Sequence, residues 1–180
     1  MAALESLPHR VVLTGSESTG KTTLAVELAG HFRVEWVPEY VREYLDLKHI
    51  PLDAEDVEPI ARGQIAAQDA ALARARSLLV LDTDLLSTMV YATHYYGACP
   101  EWIGSAAAAR RGDLYLLCDI DIPWTADPQR DRSHDRVAMQ TLFRDALLEH
   151  GLPFEVIGGG REERLEVARR AIERMLMIDR

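Results

Sequence analysis

Several residue types that carry common kinds of function are scarce in this 180-residue chain. Its two cysteines, Cys99 and Cys118, stand apart with no C-x-x-C or Cys/His spacing, which argues against a disulfide framework or a zinc site. The six histidines are scattered, and none lies at ligand spacing from a neighbour. Acidic residues outnumber basic ones 29 to 20, a formal net charge of −9, and no basic stripe offsets the excess. Nucleic acid and anionic membranes are therefore not expected as partners, whereas a small phosphorylated ligand in a local positive pocket is. Residues 1–10 contain no apolar leader segment, and no run approaches the ~18 apolar residues of a membrane span, so the expected compartment is the cytoplasm. Repeats and long low-complexity linkers are missing as well. The length predicts one domain over residues 1–180, large enough to bury a core.

Lysine is scarce too, being found only at Lys21 and Lys48, and the first completes a pattern. Gly15-Ser16-Glu17-Ser18-Thr19-Gly20-Lys21-Thr22 reads G-x-x-x-x-G-K-T, followed by Thr23. Ahead of it the apolar run Val11 to Leu13 predicts a buried strand, and behind it residues 23–29 predict a helix, the context that a phosphate loop requires. Glycines let the backbone curl so that N–H groups face phosphate oxygens, and the helix adds the positive end of its dipole. Lys21 then supplies a point charge to the β- and γ-phosphates, and the Thr22 hydroxyl is the expected Mg²⁺ ligand. The bland alternative is a glycine-rich turn before an ordinary helix.

Apolar β-rich runs recur at residues 11–13, 34–37, 78–81, 114–117 and 154–157, with helix-like spacing between most of them. Short buried strands alternating with helices predict a parallel α/β sheet covered on both faces. The last helix, carrying Leu165, Ala168, Ala171 and Ile172, is expected to hold its Arg and Glu residues on the outer face. Residues 119–136 break the pattern: a polar stretch with Pro123, Pro128 and three arginines reads as a lid.

Further candidates lie at predicted strand ends. Leu78 to Leu81 runs into Asp82-Thr83-Asp84; Asp82 is placed to hold Mg²⁺, while Asp84 is either catalytic or the N-cap of the next helix. Glu39, after the second strand, emerges beside the phosphate loop, where a carboxylate can orient or deprotonate a substrate hydroxyl with Arg42 in support. An exposed Glu–Arg pair is the alternative. In the lid, Arg130, Arg132 and Arg136 can reach a transferring phosphoryl group, Arg130 foremost, unless Asp127, Asp131 and Asp135 make the run a solvated, self-paired loop. Gly158-Gly159-Gly160 is either a backbone approach to an adenine ring or a flexible turn.

Together, VLTGSESTGKTTLA, VPEYVREYL, IARGQ, LDTDLLSTMVYATHYYG and LYLLCDIDIPWTADPQRD resemble the ribosylnicotinamide kinase domain of NadR-type NAD-salvage proteins over roughly residues 10–178. The resemblance implies a P-loop kinase fold with five parallel strands, use of ATP and Mg²⁺, and phosphoryl transfer to the ribose 5′-hydroxyl of nicotinamide riboside. The expected substrate contacts are Glu39, Tyr40, Arg42, Asp84 and Trp124. Full-length members carry an adenylyltransferase domain before the kinase, for which 180 residues leave no room. Some members place a tryptophan before the Glu-Tyr pair to stack on the pyridine ring; here Pro38 stands there, leaving Trp36, Tyr40, Tyr91, Tyr95 and Trp124 as aromatic candidates. A kinase for another nucleoside or sugar alcohol stays open, as does a regulatory ATPase module. A GTPase switch is disfavoured, because no N-K-x-D-type segment is present.

Overall fold

Each of the five apolar runs forms a strand in the computed structural model, which describes residues 7–124 and 135–178. The strands are β1 (His9–Thr14), β2 (Trp36–Val37), β3 (Leu78–Asp82), β4 (Leu114–Cys118) and β5 (Phe154–Ile157). All pairings are parallel, in the order β2-β3-β1-β4-β5. Parallel strands need crossovers, supplied by α1 (Lys21–Phe32), α2 (Tyr40–Lys48), α3 (Val57–Leu72), α4 (Leu85–Tyr96), α5 (Glu101–Ala109) and α6 (Arg136–Glu149), and α7 (Arg161–Ile178) follows the last strand. No helix among the described residues is long and apolar enough to cross a membrane.

Side-chain alternation along fully buried strands produces three layers. Val11, Leu13, Val80 and Leu116 point to one face, where they meet Leu24 and Leu28 of α1 and Ala168 and Ile172 of α7. Val12, Leu79, Leu81, Tyr115 and Leu117 point to the other, against Leu86 of α4 and Met139, Phe143 and Leu147 of α6. A satellite cluster joins Val57 and Ala61 of α3 to Leu85 and Ala92 of α4 and Ile103 of α5. Helices α2 and α5 lacked a periodic signal for a physical reason. Their apolar stripes are short and only partly covered: Val41 and Leu45 of α2 face a cavity, and of α5 only Ile103 is fully buried, with Trp102, Ala106 and Ala107 half-buried beside it.

Register positions the site. Leu13 lies opposite both Asp82 and Leu116, so β1, β3 and β4 end at one level. The strand order turns at β1, and the crevice beyond such carboxyl ends is where open α/β sheets take ligands. Phe143 is fully buried on one side of that frame and meets the Tyr91 ring edge-on at 5.4 Å. Phe143→Ala is expected to cost about 3–5 kcal/mol, the usual range for emptying a core aromatic site. Urea unfolding with an unchanged m-value checks this; a loss below 1 kcal/mol would show that the site collapses around the truncation.

Candidate active site

The phosphate loop curls between β1 and α1, and its first glycine is dictated by space. Gly15 has φ +123°, and a Cβ there would lie 2.8 Å from the Cys118 carbonyl oxygen. Inside the curl, Lys21 is only 6% exposed, and its Nζ donates to Gly15 O at 3.0 Å and Ser16 O at 2.7 Å. The Thr19 hydroxyl donates to Ser16 O at 2.9 Å. Glu17 and Ser18 form the half-buried crown of the loop, Gly20 stands at the N-cap of α1, and Thr22 and Thr23 are exposed in its first turn.

Three long side chains brace the loop from outside. Gln140 of α6 accepts from Ser16 N at 3.0 Å and donates to Cys118 O at 3.0 Å. Arg136 donates to Ser18 O at 2.9 Å and to Ile122 O at 2.8 Å. Arg164 of α7 donates to Thr19 O at 2.9 Å and Asp119 O at 3.0 Å, and pairs with Asp121. Arg164 corrects an expectation: it is buried, not on an outer face. Its spacing to Ala168, Ala171 and Ile172 (i, i+4, i+7, i+8) places it on the inward stripe, a signal its charge conceals.

Beside the loop the Thr22 hydroxyl donates to Asp82 Oδ2 at 2.5 Å, with Asp82 buried at the end of β3. No group of three or more His, Cys, Asp or Glu side chains suited to a metal occurs among the described residues. One hydroxyl and one carboxylate nevertheless fit Mg²⁺, which takes one or two carboxylates plus substrate phosphates rather than an all-protein cage. Cys118, adjacent, has its thiol pushed up to about 11 by burial, against the pull of Lys21 and Arg164, and is not a nucleophile at neutral pH.

Asp84 caps α4. Its Oδ1 accepts from Leu86 N at 3.0 Å, and its Oδ2 accepts from the Tyr115 hydroxyl at 2.7 Å. Burial raises its carboxyl to about 6, while Tyr115 and the helix N–H groups pull the other way. The geometry gives Asp84 the capping role that the sequence left open beside a catalytic one.

A cavity of about 640 Å³ opens between α2, α3 and α4, lined by Glu17 of the loop and Glu39 at the head of α2. Glu39 is buried, with Arg42 Nε 3.8 Å from its Oε2. Further in lie Gln64, Thr83 and Ser87; further out lie Asp46, His49, Asp53, Tyr91, Tyr95 and Tyr96. Tyr91 and Tyr95 stack at 5.9 Å, with planes 15° apart. The outer wall is fastened by Lys48, which pairs with Asp53 and Asp56, while the Tyr44 hydroxyl donates to Asp56 at 2.8 Å.

Other expected substrate residues lie elsewhere. Tyr40 packs its ring on Gly63, where any Cβ would collide with it, and is not a cavity residue. Arg42 and the half-buried Trp124 are likewise outside the lining, and Trp36 packs against the core cluster shared with α1. Arg130 and Arg132 fall outside the described residues. Gln140 and Asp56 were not singled out from the sequence, and Gln64 and Lys48 stood there without a role, as the end of the IARGQ block and the second lysine; Asp53-x-x-Asp56 is a capping box that could have flagged Asp56.

A family model described as an AAA domain matches residues 10–164. The chain belongs to that family. It is 32% identical over 150 residues to the trifunctional NAD biosynthesis/regulator protein NadR of Salmonella typhimurium, and equally to that of Escherichia coli. Each match covers 80% of this chain and 37% of the relative, so the chain spans well under half of either protein. Solved NadR structures, one in complex with NR and one with NAD and AMP-PNP, superpose with TM-score 0.77 at 26% identity, over 94% of this chain and 50% of theirs. A thymidylate kinase from Ehrlichia chaffeensis matches with TM-score 0.68 at 15% identity, over 92% of this chain and 100% of that one, a likeness of fold alone. The phosphate loop, on a P-loop kinase-like fold, thus marks a nucleotide-binding protein.

Asp84 generates a pH prediction. Its carboxyl rises from 3.8 to about 6 on folding, so the folded state holds the proton more tightly. That stability is fully present below pH 3.8 and is lost as pH rises through 6. Relative to Asp84→Asn, the wild type should therefore lose up to about 3 kcal/mol between pH 4 and 7. Paired denaturant titrations across that range check it, and a pH-independent difference would contradict the buried-acid assignment.

Proposed function

We propose that this chain is an ATP- and Mg²⁺-dependent small-molecule kinase whose acceptor is the ribose 5′-hydroxyl of nicotinamide riboside. The observation that carries the acceptor is the charge of the cavity. Glu17, Glu39, Asp46 and Asp53 line it with stacked Tyr91 and Tyr95, and no Lys or Arg of the described residues is among the lining, Arg42 and Lys48 meeting Glu39 and Asp53 from outside it. Carboxylates and aromatic faces in one pocket attract a flat cation and repel an anion. A pyridinium riboside carries that charge on an aromatic ring. A nucleoside monophosphate would bring two negative charges to four carboxylates, so the thymidylate kinase likeness extends to fold and not to acceptor. Similarity to a protein solved with NR supports the same choice.

In the chemistry that follows, Glu39 accepts a hydrogen bond from the acceptor hydroxyl and takes its proton as the oxygen attacks the γ-phosphorus. A new O–P bond forms, the bond to the ADP oxygen breaks, and Lys21 bears on the charge spread over the phosphate oxygens. Thr22 and Asp82 would hold Mg²⁺, which neutralises charge on the β- and γ-phosphates when bound. Positioning supplies most of the acceleration, since phosphoryl transfer asks little covalent work of the protein. We assign the whole of residues 1–180 to one such domain, with lid arginines including Arg130 as further phosphate contacts.

ADP formation measured across an acceptor panel tests the reading. Nicotinamide riboside should be phosphorylated, and its carboxylate counterpart, nicotinic acid riboside, used at least about tenfold less well, as one extra repulsive charge predicts. Glu39→Gln should lower kcat more than it raises acceptor KM. ADP release indifferent to every acceptor would favour a regulatory ATPase instead. Lys21→Ala should fold normally by circular dichroism and lose roughly 10²–10³ in turnover, the cost of one preorganised charge donor; near-wild-type turnover would remove the phosphate loop from the mechanism.

A further inference from the structure

Gln64 of α3 is 3% exposed and lines the cavity, yet only half of its amide is accounted for. Its Oε1 accepts from Tyr40 N at 2.8 Å. That bond fixes the amide plane, because the flipped orientation would set NH₂ against N–H. The other end, Nε2, has no hydrogen-bond partner among the described residues. A buried amide nitrogen is destabilising until an acceptor meets it, and native structures rarely leave one unmet without a function.

The surroundings say what meets it. The bond to Tyr40 N sets Gln64 next to Glu39, the residue before Tyr40, so the two line the same end of the cavity. The cavity is rich in acceptor-only carboxylates; an amide NH₂ is a donor only. Resting on the reading of this cavity as the acceptor site, we propose that Gln64 Nε2 donates a hydrogen bond to an uncharged oxygen of the bound acceptor and thereby selects acceptors that present one. A riboside has two sources of such an oxygen, a sugar hydroxyl and a ring carboxamide carbonyl. A buried donor built for a substrate oxygen discriminates sharply against analogues lacking it, because the donor is then stranded.

The test compares wild type with Gln64→Met, which removes both polar atoms, and Gln64→Glu, which keeps an oxygen for Tyr40 N and so protects the fold. The readout is the ratio of kcat/KM for the best acceptor found in the panel to that for its analogues: the 2′-deoxy, 3′-deoxy and, for nicotinamide riboside, the pyridine riboside lacking the carboxamide. Using ratios cancels any uniform effect of the charge that Glu introduces. In wild type, one analogue should fall by about tenfold or more; that ratio should collapse toward one in both variants when the oxygen is a carbonyl and in Gln64→Met when it is a hydroxyl, which Glu can still accept from, while the KM for ATP stays unchanged. The analogue that loses its penalty names the oxygen. Ratios that survive both substitutions would overturn the proposal and leave Gln64 as a strut for Tyr40, and so would a wild type that turns over no acceptor at all. If a riboside other than nicotinamide riboside proves best and its ratio collapses, the Gln64 assignment stands and the acceptor identity falls; nicotinamide riboside turned over with unaltered ratios gives the reverse.

Discussion

A buried ammonium shapes this site. Lys21 is almost out of solvent, and a charge in that position must be surrounded by oxygen to offset lost hydration. Gly15 O and Ser16 O supply it, which requires the chain to turn back over its own side chain. That turn is available only because Gly15 takes φ +123° in contact with Cys118 O, and the contact exists because β1 and β4 end at the same level. Strand register, glycine and lysine are thus one constraint. Displacing β4 by a residue would remove the wall on which the loop leans.

Electrostatics divides the crevice into two halves of opposite character. The phosphate-loop half presents Lys21, Arg136 and Arg164, and the cavity half presents Glu17, Glu39, Asp46 and Asp53. A protein with net charge −9 would repel a polyphosphate at long range, so the cations have to be concentrated where it binds. Burial, joined by the nearby charge of Arg164, lowers the Arg136 guanidinium from its usual value. Asp119 and Asp121 offset that repulsion. Glu39 and Glu17 stand where the halves meet, the position at which an acceptor hydroxyl would face a phosphate.

Much of this was legible because local chemistry agreed with global pattern. All five strands lie in apolar runs, β3 and β4 buried throughout and β1 over its last four residues, and the loop announces itself by residue type and spacing. What stayed hidden depended on tertiary context. Gln64 and Gln140 are ordinary helix residues until β4 and Tyr40 are set against them. Arg164 reads as surface by charge and as core by phase, and the phase was the better guide. Asp84 could not be divided between cap and catalyst until Tyr115, 31 residues away, was seen to donate to its second oxygen. The choice of aromatic residues likewise required α4: Tyr91 and Tyr95, one turn apart, present a stacked pair to the cavity, while Tyr40 turns inward onto Gly63.

The external braces also explain how the loop faces its ligand before any ligand arrives. A peptide unit is planar and trans, so its C=O and the following N–H point in opposite directions. Arg136 draws Ser18 O outward, which turns the N–H of Thr19 inward; Arg164 does the same to Thr19 O and turns in the N–H of Gly20. At the other end of the loop the sense is reversed, because Gly15 O turns in toward Lys21 and the N–H of Ser16 turns out to Gln140. The amides aimed at phosphate are therefore those of the loop's second half, and they are held there by side chains from α6 and α7. Both arginines also bond the backbone leading out of β4, Arg136 at Ile122 O and Arg164 at Asp119 O and Asp121, so that backbone and the carbonyls that orient the phosphate-binding amides share the same two braces.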